Sequence, residues 1–195
     1  YILLGLEFVG RLPEFDRTAP DGPRRVETYL ASLNAALSDF FNKSYFITKN
    51  MDATLTGDRV DGVLPVICFF LKRTNNTISA VKRCAFLDKG ELMEYDYSHP
   101  RKKVTRPYGV KIEFFANGKN RLQTLYYFSC DLVDDAFKKD STLYLYLDRL
   151  DFETTFIKAA SYLLHYREFS SIRNMILNKS QFVLEDDTGI PYRYF

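Results

Sequence analysis

The chain has 195 residues, 46% of them hydrophobic and 27% charged, which excludes a chain too polar to fold and supplies enough apolar side chains for a core without metals or disulfides. With 27 basic against 25 acidic side chains the net charge is +2, so the concentrated Lys and Arg footprint of a nucleic-acid binder is missing. No apolar run reaches the roughly 18 residues that a membrane-spanning helix needs.

Residues 1–9 read as a buried strand, followed by a loop carrying Pro13, Pro20, Gly22 and Pro23. Pro23 opens an amphipathic helix, with Asp21 or Gly22 as its N-cap. Its apolar stripe is Val26, Tyr29, Leu30, Leu33, Leu37, Phe40 and Phe41, spaced as one helical face. Residues 44–48 read as a short strand and 49–62 as a polar loop. The apolar run Leu64–Leu71 fits a buried strand or a buried helix by periodicity alone. Asp61 before it, and Lys72, Arg73 and Asn75 after it, favour the helix.

Two hairpins are expected next. The first joins 78–86 to 91–97 across Asp88-Lys89-Gly90. In the second, Val110, Ile112 and Phe114 alternate with Lys111 and Glu113, and the partner strand Leu122–Cys130 follows Asn117-Gly118. A two-residue type I′ turn would set Phe114 opposite Arg121 and Ile112 opposite Gln123, bringing the apolar face against charge. A loop one residue longer is therefore expected, pairing Phe114 with Leu122, Ile112 with Thr124 and Val110 with Tyr126. Asp140 is positioned to cap a helix through Leu150, although Leu143–Leu147 also alternates as a strand would. Asp151 is expected to cap a helix over 152–166, Ser170 or Ser171 to start another through Leu177, and Gln181–Leu184 to form a final strand.

The expected fold is thus α+β. It is one domain over 1–195, with a mostly antiparallel sheet built from two central hairpins plus strands near both termini, covered by four to five helices. The 17 Phe and 14 Tyr, with no Trp, predict an aromatic core with Tyr at its edge or on a sheet face. Tyr1-Ile2-Leu3-Leu4 and Tyr192-Arg193-Tyr194-Phe195 make both ends look trimmed from something longer, so an upstream targeting segment could have been lost.

Motifs for chemistry are few. Cys68, Cys84 and Cys130 lack CxxC spacing and sit in apolar stretches, as buried thiols do; the alternative is one disulfide with one cysteine left over in an oxidising compartment. Asp187-Thr188-Gly189 matches the tripeptide of aspartic proteases, but such enzymes need two carboxylates sharing a proton, and no second copy exists; the tripeptide reads as a turn. His99 and His165 have no neighbour at metal-ligand spacing. No metal, no cofactor and no catalytic residue is therefore assigned. The sequons at Asn42, Asn75 and Asn178 matter only in a secretory eukaryotic setting.

The sharpest charge asymmetry is Arg101, Lys102, Lys103 and Arg106, continued by Lys111, with no acid between Asp96 and Glu113. Tyr95, Tyr97 and Tyr108 flank them, and His99 sits in the Tyr-Ser-His-Pro-Arg stretch beside them. Clustered cations beside aromatic rings suit an anionic partner: an acidic glycan, a lipid surface or a protein. Arg101, Lys102, Lys103, Arg106, Tyr97 and His99 are the candidate binding residues.

The stretch Phe156–Phe195, through Ala159-Ala160-Ser161-Tyr162-Leu163-Leu164, Phe169-Ser170-Ser171-Ile172-Arg173 and Asp186-Asp187-Thr188-Gly189-Ile190-Pro191, resembles the tail of a family of bacterial proteins that carry export signals. The resemblance covers about a fifth of the chain and implies a cell-envelope or periplasmic location, no activity and no site residue. The expected function is a non-catalytic ligand- or protein-binding domain of the bacterial envelope. The alternatives are a hydrolase whose site is spread along the chain and a structural module of a larger protein.

Overall fold

A computed structural model describes residues 1–16, 18–43, 61–95, 107–157 and 165–185, with the backbone alone for 36–43. Its order is β1 (Ile2–Gly5), α1 (Gly22–Lys43), α2 (Val63–Arg73), β2 (Thr77–Phe86), β3 (Leu92–Tyr95), β4 (Tyr108–Phe115), β5 (Leu122–Ser129), α3 (Thr142–Asp148), β6 (Phe152–Ile157), α4 (Ser170–Lys179) and β7 (Ser180–Glu185). The fold is α+β. Five strands form a mixed sheet in the order β1-β5-β4-β2-β3, and β6 and β7 form a separate two-stranded one. No described helix is long and apolar enough to cross a membrane.

The sheet is mostly antiparallel, but its outer strand β1 pairs parallel with β5, Ile2 opposite Tyr126 and Gly5 opposite Ser129. This strand is shorter and more open than the buried strand expected over 1–9: Leu3 is 43% and Leu6 57% exposed. Residues 8–11 serve α2 instead. Phe8 and Val9 accept hydrogen bonds from the Val63 and Leu64 amides, and Arg11 donates to the Asp61 carbonyl. The helix's orphan N–H groups are thereby satisfied by backbone, without a side-chain cap. Gly10 and Gly62, at φ +73 and +83, let the two backbones approach; a Cβ on Gly62 would lie 2.4 Å from the Gly10 Cα.

The run Leu64–Leu71 is helical, as its flanking polar residues indicate, and Pro65 sits in the first turn where no N–H is needed. The helix ends in a Schellman turn. Asn75 takes a left-handed φ of 61, its amide bonds the Lys72 carbonyl, and that of Asn76 reaches Leu71.

Alternation places two cores on opposite faces of the sheet. Val110, Ile112, Phe114 and Tyr127 pack with Val9 and α2 through Leu64, Cys68 and Leu71. Cys84, Phe128 and Cys130 pack with Phe137, with Leu143 and Leu147 of α3, and with Ile172, Met175 and Ile176 of α4. The second core is the aromatic one: Phe86, Tyr126 and Phe128 cluster, with Tyr146 against Phe86 and Phe128. Helix α1 stands outside α2, seating Leu33 and Tyr29 on Val63, Val66 and Phe69, while Leu30 of the same stripe is 43% exposed.

The β4–β5 register corrects the expected one. Phe115 faces Leu122, Phe114 faces Gln123, Ile112 faces Leu125 and Val110 faces Tyr127, so the connection Ala116–Arg121 is longer still. The reason is that β5 is apolar on both faces. Leu125 and Tyr127 join the α2 core while Tyr126 and Phe128 join the other. A slip of one residue, which inverts every side chain, therefore leaves apolar groups buried either way. Gly118 has φ +70 and Asn117 does not have a positive φ, which excludes the type I′ turn.

Two further expectations fail. Residues 152–157 are not the start of a helix capped by Asp151 but strand β6, whose Thr154, Thr155, Phe156 and Ile157 are residues that favour a pleated chain; it pairs parallel with β7. The final strand, found where expected, accordingly joins β6 rather than the main sheet. Helix α3 is capped by Ser141 rather than Asp140, its hydroxyl accepting from the Tyr144 amide. The first hairpin stands as expected, with Phe86 opposite Leu92. The expected strand 44–48 lies outside the described residues.

Candidate functional site

The six residues singled out as a binding cluster, Tyr97, His99, Arg101, Lys102, Lys103 and Arg106, lie outside the described residues, as does Asp187-Thr188-Gly189. The strands that hold the basic segment are described. β3 ends at Tyr95 opposite Arg83, and β4 begins at Tyr108 opposite Ala85, so the segment joins two strands separated by β2.

Lys111 does not extend that cluster as a free cation. Its Nζ lies 2.7 Å from Glu94 and 2.9 Å from Glu113, and Lys82 reaches Glu94 at 3.3 Å. The Lys111 and Lys82 ammonium groups hold the Glu94 carboxyl below its ordinary value. In turn the two carboxylates hold Lys111 protonated far above neutrality. These charges occupy the half of the sheet face that the aromatic core leaves open, with Tyr126 directly opposite Lys111.

Groups suited to covalent chemistry are dispersed. The three thiols are buried and unbridged; burial pushes Cys68 and Cys84 up to about 12, so both stay as thiols at neutral pH. His165 has a side chain 68% exposed and lies 3.8 Å from Glu185. The Ser170 hydroxyl donates to Asp134 at 2.5 Å, and the same carboxylate accepts from the Ser171 amide at 2.8 Å. Among the described residues no histidine is joined to this pair, and its work is to tie the first turn of α4 to the 131–137 loop. Among the described residues no group of three or more His, Cys, Asp or Glu is placed to hold a metal.

A concave surface is found at the far end of the sheet. An open depression of about 600 Å³ lies between the Schellman turn of α2 and the tip of the β4–β5 hairpin, lined by Asn75, Thr77, Phe115, Asn117, Lys119 and Asn120 among others. The pairing of Thr77 with Phe115 brings its two walls together. Asn76 fixes their spacing: its Oδ1 accepts from the Asn117 amide at 3.2 Å, while its Nδ2 donates to Thr74 and to the Leu71 carbonyl. The tip is closed by the Lys119 amide donating to the Ala116 carbonyl. Phe115, 37% exposed, lies beside its cross-strand partner Leu122, 45% exposed.

The sequence marks this site only as two unrelated polar turns, Asn75-Asn76-Thr77 and Asn117-Gly118-Lys119-Asn120. Their union depends on the β2–β4 pairing, which no local pattern announces. Comparison of the chain with family models, with curated proteins and with solved structures finds no match.

Proposed function

We propose that this chain is a non-catalytic binding domain that takes a polyhydroxylated ligand, a glycan, in the depression beside the β4–β5 hairpin. The observation that carries this is the lining of the depression. Three asparagine side chains each offer donors and an acceptor, as vicinal hydroxyls require, next to the Phe115 ring as an apolar platform and Lys119 as a single cation. The Asn76 tether supports the reading further, because a pre-spaced site loses little freedom on binding. The basic segment, with Arg101, Lys102, Lys103, Arg106, Tyr97 and His99, joins the opposite end of β4 and is a second, separate contact for acidic members of the class. An envelope location goes with this function, on the resemblance of the C-terminal stretch to exported bacterial proteins.

A glycan array probed with the unmodified chain tests the proposal. Joint replacement Asn117→Ala and Asn120→Ala is expected to weaken binding at least about tenfold, the loss of two or more hydrogen bonds. Replacing Arg101, Lys102 and Lys103 by Ser is expected to remove the salt-sensitive part alone. Absence of binding to any neutral or acidic glycan sinks the proposal.

The reading as a structural module of a larger protein has its own support in β1, an edge strand on which, among the described residues, no strand but β5 pairs and where Leu3 is 43% exposed. The hydrolase reading has no specific observation among the described residues in its favour.

A further inference from the structure

The β6–β7 pair leaves more apolar side chain in solvent than any other strand pair among the described residues. Phe156 is 61%, Phe182 64%, Leu184 53% and Val183 39% exposed. Phe182 stands opposite Thr154 and Leu184 opposite Phe156, so these side chains share one face of the pair. From Gln181 to Glu185 every residue of β7 is exposed, which leaves the strand open on both of its faces. No described strand other than β6 pairs with β7. An exposed apolar strand with an edge that no described strand covers is a template for another strand.

We propose that β7 pairs with β7 of a second copy of this chain, antiparallel and centred on Val183, to give a four-stranded sheet β6-β7-β7-β6. The sequence Gln181-Phe182-Val183-Leu184-Glu185 is self-complementary in that register. Val183 meets its own equivalent on the two-fold axis, Phe182 meets Leu184, and Glu185 meets Gln181, so no carboxylate faces another. A shift of two residues towards the C-terminal end would set Glu185 opposite Val183 and bury a charge beside apolar groups. The contact is small, at the low end of the roughly 1,200 Å² that stable complexes bury, so association should depend on concentration.

Sedimentation velocity on the chain over a range of concentrations is expected to show a monomer–dimer equilibrium. Phe182→Ser should raise its dissociation constant at least about tenfold while leaving the thermal midpoint of the monomer in place. The register is tested by cross-linking, for which the buried native thiols are silent. Val183→Cys alone should oxidise to a covalent dimer, since its two Cα atoms would lie within disulfide range. Gln181→Cys alone should not, whereas a mixture of Gln181→Cys and Glu185→Cys should give the mixed dimer. A chain that stays monomeric at every concentration overturns the proposal and means that this strand is covered from within the chain or by a different protein. A dimer that Val183→Cys fails to trap overturns it as well, by placing the contact elsewhere.

Discussion

The five-stranded sheet and the β6–β7 pair are built from similar residues and held in different ways. In the main sheet the inner strands are covered on one face by α2 and on part of the other by the aromatic core: Val110, Ile112, Cys84 and Phe128 are all 0% exposed. In the β6–β7 pair only Phe152 and Ile157, at the two ends of β6, touch the aromatic core, and Phe156, Phe182 and Leu184 lie in solvent. Strand propensity alone therefore does not tell where this protein keeps its stability. What separates the regions is whether a helix lies across the apolar face.

The largest effect expected from that contrast is at the centre of the aromatic core. Phe128→Ala should cost about 3–5 kcal/mol, the removal of a fully buried ring with little room for collapse. Phe182→Ser, at a concentration where the chain is monomeric, should change stability by no more than about 0.5 kcal/mol. Urea midpoints for the two variants check the pair. Comparable losses would break the distinction and show that β6–β7 is as deeply integrated as the sheet.

A second, smaller effect separates buried from open turns. At Gly62 a Cβ would meet the Gly10 backbone and the Phe8 carbonyl, and the φ of +83 disfavours any side chain. Gly62→Ala should cost about 2–4 kcal/mol and loosen the seating of residues 8–11 on α2. At Gly118 the φ is +70 but nothing lies within 4 Å of an added Cβ, so Gly118→Ala should cost only the left-handed penalty of about 1 kcal/mol. Amide exchange at Val63 and Leu64, whose bonds to Phe8 and Val9 close this junction, should accelerate in the first variant alone. Unchanged protection there would show that the junction is not what holds the helix start.

Elements with one apolar face and clear ends were legible in the sequence. Pro23 marked α1, Gly90 the first hairpin turn, and Lys72 and Arg73 the end of α2. Two kinds of information were not. The β4–β5 register was hidden because β5 is apolar on both faces, so the alternation that fixes register in a half-buried strand carries no preference. Strand β6 was hidden because Phe152, Phe156 and the following alanines also fit a helical stripe, and its partner β7 lies more than twenty residues on. The depression was hidden for the same reason, since Asn75 and Asn117 meet only through β2 and β4. Lys111 looked like a member of a basic run because Glu94, which neutralises it, comes from a different strand.

That ion cluster makes the smallest and most specific test, because it stabilises an open part of the sheet by charge where the neighbouring part uses packing. Glu94 has its carboxyl held below its ordinary value of 4.5, chiefly by the Lys111 hydrogen bond and further by Lys82. A carboxyl whose folded pKa is depressed contributes stability that is complete above the unfolded value and is lost as pH falls through the folded one. The unmodified chain should therefore weaken as pH drops from above 5 towards 3, and Glu94→Gln should weaken less over the same interval. The slope should not vanish. Asp134, lowered by Ser170 and Ser171, and Asp16, lowered by Thr18, titrate in the same direction and remain in the variant. Urea midpoints at pH 7 and pH 3 for both chains supply the comparison. Equal differences would mean that the Glu94 pairs are too well solvated to stabilise the sheet, and its open half would then rest on backbone pairing alone.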